Sequence, residues 1–157
     1  MRITQLLALA GFSLLMTGTA QAQDYGPSIN FAQAKEVLAA AEAEAAKQKF
    51  TVAIAIVDTA GNLVAFSKGD NTQTASVEVS EAKAVSAVSF KRATKAFQDT
   101  VAAGGVGLRV LTLPGVVAAE GGVPLVSGGA IIGAIGVSGM TSEQDGIVAA
   151  AGVAAIK

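Results

Sequence analysis

The sequence predicts an α/β domain of the α+β kind: a mostly antiparallel, five-stranded sheet with flanking helices, the N- and C-terminal helices packed on it. Three observations lead there. Short β-branched runs alternate with glycine-rich turns at hairpin spacing, which pairs neighbouring strands antiparallel. Helical periodicity marks both ends of the domain and its middle. The chain beyond a leader has the length of one domain.

The leader comes first. Met1-Arg2 is a short positive start, and Ile3 to Met16 is mostly apolar. Ala20-Gln21-Ala22 supplies the small residues of a cleavage site. The apolar core is shorter than the roughly 20 residues a membrane span needs. Residues 1–22 are therefore expected to be a secretory signal peptide, with one domain over residues 23–157 in the periplasm or outside the cell. A tail at Tyr25 should be mobile.

Asn30 can cap a helix with Gln33 three residues on, and Phe31, Ala34, Leu38, Ala41 and Ala45 share one face. Thr51 to Val57 is a continuous apolar run, the pattern of a strand buried on both faces. Asp58 to Asn62 turns the chain, and Leu63 to Ser67 returns as a hairpin. Ala75 to Ala93 has helical spacing with many small residues, and Thr94 opens a shorter helix to about Val101. Gly104 to Gly107 ends it. Val116–Ala119, Val123–Val126 and Ala130–Val137 read as strands punctuated by Gly121-Gly122 and Gly128-Gly129. Ser142 caps a last helix, Glu143 to Ile156, with Glu143 and Asp145 in its first turn.

Composition narrows the function. Without Arg2 the chain has 10 basic against 12 acidic residues, a formal net charge of −2. A nucleic-acid binder should show a basic face instead. Hydrophobic residues make up 52% of the chain and charged ones 15%, which suits surface hidden in an oligomer. The sequence has no Cys and no His. Disulfides, Ser-His and Cys-His nucleophiles and His-based zinc sites are excluded.

Two stretches resemble the GlcG/HbpS family. One is Gly122-Val-Pro-Leu-Val-Ser-Gly-Gly-Ala-Ile-Ile-Gly-Ala-Ile-Gly-Val-Ser-Gly139 with Thr141-Ser-Glu-Gln-Asp145 and the preceding Leu113-Pro114-Gly115. The other is Glu81-Ala-Lys-Ala84 running on to Phe90-Lys-Arg-Ala-Thr94. The resemblance spans nearly the whole mature chain. It implies an antiparallel sheet with helices, assembly into a homo-oligomer, and binding of haem, in some exported members beside an envelope sensor of redox state.

With haem as the implied cofactor, the iron ligand must come from elsewhere than His, and the candidates by atom type are Met140, Tyr25 and a Lys amine. Met140 lies in the turn before the last helix, where its sulfur either meets iron or fills a gap in the core. Lys91, Arg92 and Lys95 can pair with propionates or simply face water. Glu78 and Glu81 share a helical face and can offer oxygen to a metal, or stay solvated. Gly133, Gly136 and Gly139 precede a helix, where free N–H groups can hold a small anion; close packing explains them equally well. The leading expectation is a non-catalytic exported haem binder, for sequestration or delivery or as an accessory to redox sensing. The alternatives are an envelope interaction module without cofactor, and a binder of a small organic acid. Neither nucleic acid nor a membrane span is expected.

Overall fold

Asn30 opens the first helix as expected. In the structure, a computed structural model that describes residues 23–156, Gln33 N–H donates to Asn30 Oδ1 (3.0 Å) and Asn30 N–H to Gln33 Oε1 (3.1 Å). This reciprocal cap starts α1, Phe31–Gln48, and Lys49 ends it in the left-handed region. Its buried stripe is Ala34, Val37, Ala41 and Ala45. Phe31 lies outside that stripe: it is exposed, with the Lys35 ammonium 5.0 Å from its ring centre.

β1 (Ala53–Asp58) and β2 (Leu63–Lys68) form the expected hairpin. Ala53 to Val57 are all buried, as a continuous apolar run requires. The turn is held by Asp58, whose Oδ1 accepts the N–H groups of Ala60 and Asn62, both at 2.8 Å. Its Oδ2 accepts the Asn62 side-chain amide at 3.0 Å. Burial works against the charge, but these donors outweigh it and hold the Asp58 carboxyl below the usual carboxylate range.

α2 spans Ser76–Ser89 and α3 spans Thr94–Ala102. A 3₁₀ helix follows at Gly105–Thr112, where the sequence reading had only a terminator. Gly104 and Gly105 take positive φ and make the turn into it. β3 (Gly122–Ser127) and β4 (Ala130–Ser138) turn through Gly128 and Gly129, both at positive φ as a tight hairpin demands. Thr141, one residue earlier than expected, caps α4 (Ser142–Val153) through a capping box with Gln144.

The described sheet has four strands in the order β2-β1-β4-β3, all neighbours antiparallel. The fifth strand expected at Val116–Ala119 does not form. Val117 N–H donates to Ser86 Oγ of α2 (3.0 Å), and Glu120 N–H to Gln98 Oε1 of α3 (2.8 Å). Helix side chains thus take donors that a strand would give to its neighbour. No helix among the described residues is long and apolar enough to cross a membrane. The expected signal peptide lies outside the described residues.

Two layers cover the sheet. Ile54, Ile56, Ile135 and Val137 pack with Val37 of α1 and with Val148 and Ala149 of α4. On the opposite face Ala55, Val57 and Ala134 pack with Ala84, Ala87 and Val88 of α2. The α2 side is lined by small residues because the helix lies directly on β4. A Cβ on Gly136 would strike the Ser80 carbonyl oxygen and the Ala84 nitrogen. Tyr25 is not a free tail. Ile131 N–H donates to the Asp24 carbonyl (2.9 Å) and Gly26 N–H to the Ile131 carbonyl (2.8 Å), so the segment pairs along β4 in parallel.

Gly136→Ala should lower stability by about 3 kcal/mol in urea unfolding, because overpacking against helix backbone has no flexible partner to give way. Asp58→Ala should cost about 1–3 kcal/mol at neutral pH. Since the folded carboxyl is held low, its contribution is present above the unfolded value and is lost as pH falls through the folded one. The gap between Asp58→Ala and the unsubstituted chain should therefore shrink on acidification, as pH-dependent denaturation curves will report.

Candidate functional site

The segments that carry the family resemblance meet at one buried ion pair. Lys83 rises from α2 and Asp145 from the first turn of α4. Lys83 Nζ lies 2.8 Å from Asp145 Oδ2, and each side chain is 3% exposed. Lys83 Nζ also donates to the Val137 carbonyl of β4 at 2.9 Å. Asp145 Oδ1 accepts the Met140 N–H at 3.0 Å. Burial pushes the Asp145 carboxyl above its ordinary range, against the pull of Lys83 and of the turn's N–H groups.

Two glycines make room for the pair. Gly121 has φ +125°, and a Cβ there would sit 2.6 Å from the Val137 oxygen and 2.9 Å from Lys83 Nζ. A Cβ on Gly122 would strike the Lys83 carbonyl. Thr94 Oγ1, fully buried, accepts the Gly122 N–H at 2.9 Å and fixes the start of β3. Such a closed assembly offers no face to a ligand; its work is to join α2, β3, β4 and α4.

The other expected site residues fall into separate settings. Met140 is 37% exposed, and its sulfur has only a weak contact, 3.9 Å from Thr51 Oγ1. Gly136 sits in mid-strand, paired with Ala55 on one side and Gly122 on the other. Gly139 is packed against the Thr51 carbonyl, and a Cβ on Gly133 would strike the Val57 carbonyl. Close packing thus accounts for all three glycines, and near α4 the Met140 and Gln144 N–H groups serve the chain's own Asp145 and Thr141. Glu78 is exposed and Glu81 half-buried on α2. Among the described residues no group of three or more acidic side chains gathers as a metal cage would.

The basic residues at the junction of α2 and α3 do different things. Lys91 adopts φ 53°, which ends α2 with Arg92 N–H reaching back to the Ala87 carbonyl (3.1 Å). Its ammonium stands 4.3 Å from the ring centre of Tyr25, whose hydroxyl donates to the Val88 carbonyl at 2.8 Å. The Arg92 guanidinium lies 5.5 Å from the Phe97 ring centre. Lys95 is bound to Asp99 at 2.8 Å, which raises its pKa. Among the described residues neither Lys91 nor Arg92 has a carboxylate partner; Lys91 is half-buried against Tyr25, and Arg92 Nε donates to the Phe90 carbonyl at 3.3 Å.

The sequence reading passed over one surface. The 3₁₀ helix and the residue after it expose Val106 (83%), Leu108, Leu111 and Leu113, with exposed Arg109 among them. Only Val110 turns inward. Four large apolar side chains thus stand in water over eight residues. The cleft between Glu42 and Ala46 of α1 and Lys68 of β2 holds about 230 Å³, below the roughly 300–1,000 Å³ of sites that enclose small molecules.

Fold and site together define a small α+β domain, locked by an internal ion pair, with an exposed apolar segment and, at the junction of α2 and α3, two cations without carboxylate partners among the described residues. The chain belongs to the HbpS-like family, described as haem degrading protein HbpS-like, which it matches over residues 29–154. It is 39% identical to protein GlcG of Escherichia coli strain K12 over 105 residues, 67% of this chain and 77% of GlcG. A PduOC:haem complex resembles it with a TM-score of 0.74 at 31% identity, covering 83% of this chain and 96% of that one. A double mutant of Streptomyces reticuli HbpS gives a TM-score of 0.76 at 26% identity, covering 96% and 99%.

Lys83→Met should cost about 3–5 kcal/mol, because it strands a buried carboxylate. Adding Asp145→Leu should restore most of that loss, since an apolar pair removes the orphaned charge. A double variant as weak as the two single losses added together would show that the residues do not act as a pair.

Proposed function

We propose that this chain is an exported haem-binding protein that holds haem on its surface for sequestration or delivery, or as an accessory to redox sensing, and does so as a homo-oligomer without turning the haem over. The observation that carries the reading is the likeness of this HbpS-like chain to the PduOC:haem complex. The chemistry of the chain fits such a group. A porphyrin needs apolar surface for its faces, and Val106, Leu108, Leu111 and Leu113 supply it. Its propionates need cations, and Lys91 and Arg92 carry charges that no carboxylate in the described residues neutralises. Met140, the sulfur expected to meet iron, stands beyond Ser138 at the end of β4, whereas Lys91 stacks on Tyr25 beside Ile131 at its start, so a haem held by those cations does not reach that sulfur. A chain without His or Cys supports a holding role over an acid–base reaction.

The family description favours a second reading, haem degradation. One experiment separates the two. Haemin titrated into the mature chain, residues 23–157, should give a saturable Soret shift that persists on standing. Replacing both Lys91 and Arg92 by Ala should raise Kd about tenfold, the loss expected when a charge-assisted contact of ~1.4 kcal/mol disappears. Bleaching of the Soret band with release of iron, in the presence of a reductant and oxygen, would establish degradation. A spectrum that stays that of free haemin at micromolar concentration would overturn the haem reading.

A further inference from the structure

We infer that Gln23 is a modification site: once the leader is removed, it closes on itself to pyroglutamate and blocks the N-terminus. The inference rests on the export reading proposed above, in which the cut falls after Ala22. Gln23 is then the first residue, with a free α-amine beside its own side-chain amide. The structure shows where the chain becomes fixed. The Asp24 carbonyl accepts the Ile131 N–H, Gly26 N–H donates to the Ile131 carbonyl, and the Tyr25 hydroxyl caps the Val88 carbonyl. Every residue from Asp24 to Gly26 is thus tied to β4 or α2, whereas Gln23 is exposed and has no hydrogen bond among the described residues. It keeps the torsional freedom that ring closure needs.

The reaction balances within one residue. The α-nitrogen attacks Cδ and a C–N bond forms. The Cδ–Nε2 bond breaks, and Nε2 leaves as ammonia with the proton the α-amine gives up. No oxidant or second substrate is required. The product lacks the terminal positive charge and the free amine. Exopeptidases that grip an α-amine then have no purchase on the strap, and Tyr25 keeps its place over the end of α2.

The test expresses the full chain, leader included, and recovers the exported protein for intact mass and N-terminal peptide sequencing. A terminus at residue 23 lighter by one ammonia supports the inference. A terminus at Gln23 with its full mass overturns it and leaves the export reading standing. A terminus anywhere else overturns the cleavage assignment and the inference together. Gln23→Ala keeps the amine and removes the amide, so an aminopeptidase should trim that variant toward Tyr25 and leave the unsubstituted chain intact. Equal trimming of the two would also count against the blocked terminus.

Discussion

The ion pair between Lys83 and Asp145 is the constraint around which the other elements are arranged. A lysine and an aspartate cannot be stripped of water unless every donor and acceptor finds a partner. Here Lys83 reaches both Asp145 and the Val137 carbonyl, and Asp145 takes the Met140 N–H with its other oxygen. Satisfying both ends fixes α2, the last residues of β4, the turn at Met140 and the first turn of α4 relative to one another. Helix packing alone would tolerate small slides; a charge pair at 2.8 Å in an apolar interior does not.

Small residues follow from the same demand. For the Lys83 side chain to reach across β4, α2 must lie against the sheet without intervening side chains. Gly136 removes the obstacle under Ser80 and Ala84, and Gly121 and Gly122 remove it around Lys83. The opposite face has no such requirement and is filled by Ile54, Ile56, Ile135 and Val137. The sheet is therefore asymmetric: bulky toward α1 and α4, and made mostly of smaller residues where α2 crosses β4. That asymmetry explains why alanine, glycine and serine crowd the middle of the sequence.

Most of the fold was legible because it is written in local patterns. The Asn30–Gln33 cap, the apolar run at Thr51–Val57 and the Gly128-Gly129 turn each act over a few residues, and each formed. The misreadings came from long-range competition. Val116–Ala119 has strand composition, but Ser86 claims the Val117 N–H within it and Gln98 the Glu120 N–H just beyond it. Tyr25 looked like tail because the carbonyl it caps is 63 residues away. The site was harder to read. Lys83 amid alanines and Asp145 in a first turn each have an ordinary explanation, a solvated charge and a helix-dipole partner. Only the fold brings them together across 62 residues. The one available signal was a lone lysine flanked by alanines, the single basic residue of α2.

The placement of the remaining exposed groups bears on how a chain with neither His nor Cys can hold a large flat ligand. The interior is committed to packing, and the ion pair closes the only point where two charged groups of opposite sign are buried among the described residues. On the proposed reading, haem is therefore held at the surface, where apolar area and cations are both exposed. The side chains of Val106, Leu108, Leu111 and Leu113 gain roughly 25 cal/mol per Å² of apolar surface removed from water, whatever covers them. On the proposed reading, haem and a second copy of the chain draw on the same source of free energy. If both use this segment, each alters the affinity for the other by an equal factor, because linkage is reciprocal. A shared surface of this kind would make assembly responsive to haem without any moving part, a simpler coupling than a conformational switch through a core that the Lys83–Asp145 pair holds rigid.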